Sequence, residues 1–208
     1  MQRFILLITV FFFAIGLKAQ QSNSVSLNLY GGYTFKDKVP YDGFSGYVKE
    51  AFQYGAGLEF FLQRTKSLEL KYLRMDTDFP LYGPAGALLN PGKEKGSVNY
   101  ILIGGNNYFG SSPSKAMPYG GIGLGIGIVD SKEGGSATKF AWDARLGVKI
   151  NTSSSISFKL QAYIQSIIAA IGSDYYIYPG GGYIAIPDYA TLFQFGLGGL
   201  VCFNFRKK

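Results

Sequence analysis

The 208-residue sequence contains no histidine. That removes the usual base of hydrolytic enzymes, so neither a Ser-His nor an Asp-His machine can be assembled. Cys202 is the single cysteine. It excludes an intrachain disulfide, and without histidine or clustered cysteine no metal site is visible. It also lies far from the N-terminus, so no lipidation cysteine follows a signal. Charge is scarce: 16% of residues are charged, where soluble domains carry about 25%. The formal net charge of +7 is concentrated at the ends, with Arg3 and Lys18 near the start and Arg206, Lys207 and Lys208 at the tail. The remainder is scattered and near neutral, so no basic stripe offers itself to nucleic acid. Beyond residue 20 no run of 18 apolar residues occurs. If the mature chain sits in a membrane, it does so as strands.

Nucleotide loops are missing too. Gly121-Ile122-Gly123-Leu124-Gly125 has Ile126 where a dinucleotide fingerprint needs glycine, and no helix is expected after it. Gly92-Lys93 lacks the glycine five residues earlier that a phosphate-binding loop requires. No cofactor is expected.

What is present begins with an export signal. Residues 1–20 combine a basic Arg3, an apolar run from Phe4 to Leu17 and a small-residue end at Ala19. A run of about 14 suits a cleaved signal peptide and is short for a spanning helix. The expected organisation is a signal peptide over 1–20 and one domain over 21–208.

That domain repeats one pattern eight times: about ten residues of period-two alternation, then a turn or loop. The segments are 24–35, 51–62, 67–75, 97–109, 118–129, 139–150, 155–165 and 192–205. The sixth is the clearest, with Phe140, Trp142, Ala144, Leu146, Val148 and Ile150 set against Asp143, Arg145, Gly147 and Lys149. In the fifth, Ile122, Leu124, Ile126 and Ile128 alternate with glycines. In the fourth, Val98, Tyr100 and Leu102 are assigned to the greasy face, which leaves Ile101 and Ile103 on the other.

Alternate side chains of a strand go to opposite faces, so each segment has one greasy wall and one polar or small-residue wall. Links between segments are alternately short (63–66, 110–117, 151–154) and long (36–50, 76–96, 130–138, 168–191). Short inner turns and long outer loops mark a transmembrane barrel, and closure removes the sheet edges that lipid cannot tolerate. The expected fold is an all-β, eight-stranded antiparallel up-and-down transmembrane β-barrel. A soluble calyx with its apolar face inward is the competing reading. Against it stand the aromatics at the strand ends (Phe35, Phe52, Phe140, Trp142, Phe203, Phe205) and the glycine and amides of the polar parity.

The signal ending Leu17-Lys18-Ala19-Gln20 carries a family likeness, as do Pro118-Tyr119-Gly120-Gly121-Ile122-Gly123-Leu124-Gly125, Lys139-Phe140-Ala141-Trp142 and Phe203-Asn204-Phe205. On these stretches the chain resembles outer-membrane β-barrel proteins of the OmpA/OmpW-like superfamily. In particular it resembles the small barrels common in Bacteroidetes, including PorT-like ones. The resemblance implies a bacterial outer-membrane location, lipid and lipopolysaccharide as surroundings, and barrel-assembly machinery as a partner during biogenesis. An envelope protein partner is compatible with it. Phe203 and Phe205 resemble the terminal aromatic signal read by that machinery, although Arg206-Lys207-Lys208 follow them. With the eighth segment closing the sequence, no peptidoglycan-binding domain is expected.

Eight strands enclose a lumen just wide enough to be filled by side chains. By parity its charges are Glu59, Glu69 and Asp143 against Lys71, Arg145, Lys149 and Lys159. Unpaired they would be costly, so a salt-bridged plug is expected. Glu59 is expected to face Lys71 across the first short turn, and Arg145, Lys149 and Lys159 to reach Glu59 and Glu69 across the lumen. The strand-five glycines are expected to make room for Tyr119, Tyr163 and Phe61. The last long loop, 173–183, carries Tyr175, Tyr176, Tyr178 and Tyr183. It is a candidate extracellular contact loop for sugars or proteins, or packs at lipid headgroups. The function read from these features is a non-enzymatic scaffold with a plugged polar lumen and functional outer loops. The alternatives are an OmpW-like conduit for small hydrophobic solutes, hinted at by an inward Ile101 and Ile103, and an accessory subunit of a secretion or assembly complex.

Overall fold

The computed structural model describes residues 24–41, 44–83, 85–110, 114–131, 135–152, 155–170, 175–177, 183–185 and 189–206. The segment read as a signal peptide lies outside the described residues, as do Tyr178, Lys207 and Lys208.

In chain order the strands are β1 (Ser24–Thr34), β2 (Asp37–Tyr41), β3 (Phe44–Val48), β4 (Ala51–Gln63), β5 (Lys66–Asp78), β6 (Leu81–Tyr82), β7 (Lys95–Tyr108), β8 (Ala116–Ser131), β9 (Gly135–Asn151), β10 (Ile156–Ala170), β11 (Tyr175–Ile177), β12 (Tyr183–Ala185) and β13 (Tyr189–Arg206). Eight of them close an antiparallel barrel in the order β1-β13-β10-β9-β8-β7-β5-β4. Closure joins the first strand to the last, with Ser24 opposite Arg206 and Thr34 opposite Gly196. The three short links and the described chain ends lie at one end, called here the inner end. The long connections lie at the outer end.

The alternation read from the sequence becomes an apolar outer wall. Ile122, Leu146 and Leu160 are 65%, 70% and 61% exposed. A soluble calyx would bury these side chains and expose Glu59, Glu69 and Lys159, which are instead buried. The wall matches a lipid-facing band, since the outward parity is apolar through the middle of the barrel and Glu59, Glu69, Asp143, Arg145 and Lys159 are buried inside it.

Two expectations about the wall and its loops need correction. In β7 the parity is reversed: Val98, Tyr100 and Leu102 are buried in the lumen, while Ile101 and Ile103 face out. Both parities there are apolar, so alternation cannot choose between them. The ladder chooses, because Lys71 points inward and its direct partner is Leu102, whereas Ile101 pairs with outward Tyr72. The first long link is likewise no simple loop. It folds as a hairpin of β2 and β3, with β6 of the next link pairing on β3. The last link contains its own small hairpin, β11 with β12.

Candidate functional site

The lumen is stacked in layers, beginning at the inner end. Lys149 lies over the Phe61 ring at 4.7 Å and the Tyr108 ring at 5.5 Å. Such placement lets a partly desolvated ammonium use the negative ring face. It makes no ion pair with a described residue. Tyr108, Met117 and Tyr119 form a small buried cluster beside it, with Phe61 packed on top.

The charge layer comes next. Glu59 and Glu69 are direct cross-strand partners, a placement of like charges that would destabilise by itself. Three cations resolve it. Lys159 Nζ bonds Glu59 Oε2 at 2.7 Å, and Arg145 Nη2 bonds Glu69 Oε2 at 3.0 Å. Arg145 Nη1 also bonds Asp143 Oδ2 at 2.8 Å, and Lys71 Nζ bonds the same oxygen at 2.6 Å. Neutral donors fill the remaining lone pairs. Asn28 Nδ2 donates to Glu69 at 2.7 Å and to Glu59 at 3.1 Å. Asn106 Nδ2 donates to Glu59 at 2.9 Å, and Asn106 Oδ1 accepts from Arg145 Nε at 2.9 Å. The hydroxyls of Ser67 and Tyr108 donate to Glu59, and that of Tyr30 to Glu69.

Thus six of the seven charges singled out in the sequence are ion-paired, as Lys71–Asp143–Arg145–Glu69 and as Lys159–Glu59, with Asn28 and Asn106 joining the two sets into one network; Lys149 stands apart from it. The expected Glu59–Lys71 contact does not form. The β4–β5 register sets Lys71 opposite Gly57, two residues further from the turn, where its amine reaches Asp143 on the far wall. Two glycines of β8 serve the same network, whereas Gly125 lies against the Ile101 backbone and Gly127 against Ile167. A Cβ at Gly121 would lie 2.3 Å from Asn106 Oδ1, and one at Gly123 would lie 2.3 Å from Asp143 Oδ1. Their missing side chains make room for the charged groups, not for the tyrosines and Phe61 named from the sequence.

Above the charges lies a neutral polar layer. Gln53 Nε2 donates to Gln165 Oε1 at 3.2 Å, and Gln165 Nε2 to Gln194 Oε1 at 3.1 Å. The Tyr100 hydroxyl also donates to Gln194, at 3.0 Å. Sequence reasoning passed over this chain, although Gln53, Gln165 and Gln194 stood on the polar parity. Between the two layers lies a cavity of about 10 Å³, lined in part by Tyr30, Gln53, Lys71, Asp143 and Tyr163. That is room for about one water. Among the described residues no buried side-chain polar atom lacks a partner.

The outer end of the lumen is apolar. Met75, Val98, Tyr100, Leu102, Ile167 and Leu192 pack together, and Val39 and Val48 reach in from the β2–β3 hairpin. The hairpin is therefore a lid seated in the mouth. Asp37 anchors it by accepting the Phe193 backbone N–H at 2.8 Å. Partial burial raises the Asp37 carboxyl above its ordinary range, and that hydrogen bond opposes the rise.

Of the tyrosines assigned to an outer contact loop, Tyr175 and Tyr176 lie on β11 and Tyr183 on β12, beyond the outer end. Phe203 and Phe205 lie on the outward parity of β13, opposite Leu27 and Val25.

No protein-family model matches the sequence, and no curated protein matches it. Solved structures do match the fold. Outer membrane protein OprG from Pseudomonas aeruginosa is similar at 11% identity and a TM-score of 0.59, over 91% of this chain and 99% of its own. Neisserial surface protein A is similar at 14% identity and a TM-score of 0.54, over 86% and 97%. The outer membrane protease OmpT from Escherichia coli is 7% identical with a TM-score of 0.42, over 90% and 98%, too slight a likeness to bear on activity. At these identities the likeness concerns the fold alone, and that fold is the closed eight-stranded barrel of outer-membrane proteins.

Proposed function

We propose that the chain is an integral protein of a bacterial outer membrane, exported by a signal peptide over 1–20 and inserted with its long connections outside. Its role is that of a closed, non-enzymatic scaffold whose outer loops make the contacts. The observation that carries this reading is the filled lumen. A salt-bridged network occupies the inner half, an amide layer lies above it with a cavity for about one water between them, and the β2–β3 hairpin packs on the outer end. A solute path would have to break buried ion pairs or displace packed apolar side chains, and each is costly.

The non-enzymatic reading draws support from the sequence and the packing together. There is no histidine, and Glu59, Glu69 and Asp143 are all held in ion pairs away from solvent. The conduit alternative has lost the feature that suggested it, because Ile101 and Ile103 lie on the outer wall. Membership of a secretion or assembly complex stays open to co-purification from native membranes. In this reading Phe203 and Phe205 serve the assembly machinery, and Tyr175, Tyr176, Tyr178 and Tyr183 belong to the contact surface.

Conductance decides between scaffold and pore. The full mature chain, reconstituted in a planar bilayer, is expected to give no steady unitary current. Regular unitary steps in the unmutated protein would overturn the closed reading.

A further inference from the structure

The outer wall is apolar through its middle and turns charged at the outer end of β5. On β5 the outward run Leu68, Leu70, Tyr72 gives way to Arg74, Asp76 and Asp78. On β7 the same parity carries Ser97 and Asn99 above Ile101. The ladder sets Arg74 beside Asn99, and Asn99 beside Ile128 of β8. Polar side chains thus hold a level of the lipid-facing wall that the next strand fills with isoleucine. Tyr54 and Tyr72 frame the sector from below. Their rings are exposed on the outer wall, while their hydroxyls donate upward to Asp76 at 2.9 Å and Asn99 at 2.8 Å. Tyrosine in this attitude marks the boundary between hydrocarbon and headgroups.

A cleft of about 650 Å³ opens at this point, a size within the range of small-molecule sites, roughly 300–1,000 Å³. Its lining includes the cations Lys49, Arg74 and Lys95 and the carboxylates Glu50, Asp76, Asp78 and Asp130. Arg74 and Asp76 meet at 2.7 Å, and Lys49 and Asp78 at 3.3 Å. Lys95 is exposed and makes no ion pair with a described residue.

The mixture narrows the ligand. A bare metal ion does not fit, because among the described residues no three acidic side chains converge to hold one. A headgroup with phosphate alone would meet the cations and be repelled by the carboxylates. A phosphate-bearing sugar offers hydroxyl donors to the carboxylates, and oxyanions to Lys95 and Arg74. The sector also continues downward into apolar wall at Ile101 and Ile126, where acyl chains would lie.

We propose that this outward notch between β5 and β7 binds the phosphorylated sugar headgroup of an outer-leaflet glycolipid. The inference rests on the membrane reading given under Proposed function. The test uses the full mature chain in nanodiscs, with bound lipid read by native mass spectrometry. The probes are bis-phosphorylated lipid A, phosphatidylglycerol and inorganic phosphate. Lipid A is expected to be retained in preference to phosphatidylglycerol, and inorganic phosphate not to displace it. The double variant Arg74→Ala/Lys95→Ala is expected to lose that preference at least tenfold, while Leu160→Ala on the opposite wall keeps it. Equal retention of both lipids, displacement by phosphate, or an unchanged double variant would each overturn the site. Heat-modifiable migration and protease protection in the same samples report insertion. A chain that fails to insert refutes the membrane reading, whereas one that inserts without preference refutes this site alone.

Discussion

Glu59 in the inner lumen and Gln194 in the outer lumen are both fully buried, and both accept hydrogen bonds from across the barrel. Glu59 gathers Lys159, Asn28, Asn106, Ser67 and Tyr108. Gln194 accepts from Tyr100 and Gln165 and packs beneath Met75. The inner layer is an ionic lattice in which each member balances several others. The outer layer is a neutral chain covered by apolar side chains. Breaking a buried ion pair leaves an uncompensated charge, whereas breaking one neutral bond leaves a polar group that can often find another partner. The inner half therefore fixes one arrangement, and the outer half tolerates change.

The largest expected effect is Glu59→Ala. It strands Lys159 in the lumen and leaves the Ser67 and Tyr108 hydroxyls without their acceptor, while Asn28 and Asn106 keep Glu69, at a cost of about 3–5 kcal/mol. Urea unfolding in lipid vesicles, followed by gel mobility, measures it. If this variant costs no more than a neutral one in the outer layer, the contrast between the halves fails.

Leu146→Arg tests the wall next door. Leu146 faces out near the middle of β9, while its neighbour Arg145 faces in. An arginine on the lipid face is expected to cost about 2–4 kcal/mol near the bilayer midplane. The same unfolding measured in a detergent that hydrates the belt should show less. A variant as stable in vesicles as the parent would deny that this face meets hydrocarbon.

Gly123→Val tests whether the charge lattice has slack. The new Cβ would lie 2.3 Å from Asp143 Oδ1, and Asp143 is held by both Lys71 and Arg145. Overpacking of about 1–3 kcal/mol is expected. A cost near zero would mean that the lattice can re-pair.

The smallest expected effect is Tyr100→Phe, which removes one donor from Gln194 while Gln165 still supplies another. About 1 kcal/mol is expected from thermal or urea unfolding. A loss matching Glu59→Ala would show the two layers to be one cooperative network.

The wall was legible wherever the two parities differed in chemistry. In 139–150 aromatic and aliphatic residues face Asp143, Arg145 and Lys149, and the chain folds to that pattern. In 97–103 both parities are apolar, and only pairing with β5 turned Tyr100 inward. The composition of the charged lumen was legible from parity, but its pairing was not. Glu59 meets Lys159 and not Lys71, because ladder offset and the far wall decide which atoms come within reach. The β2–β3 lid gave no signal as a lid, since Val39 and Val48 find their neighbours on strands distant in sequence. The outward notch was hidden for a related reason. Only the register placed Arg74 and Asn99 level with Ile128, and Asp76 level with Ser97 and Asp130.

The sequence by itself determined that this chain makes a closed barrel with a greasy outside and a charged inside, because period-two alternation commits each residue to a face locally. Only the tertiary structure decided which charges meet, which way β7 faces, what caps the mouth and where the outer wall turns polar. Those outcomes depend on strand register and on distances across the lumen, and no local pattern along one strand encodes either.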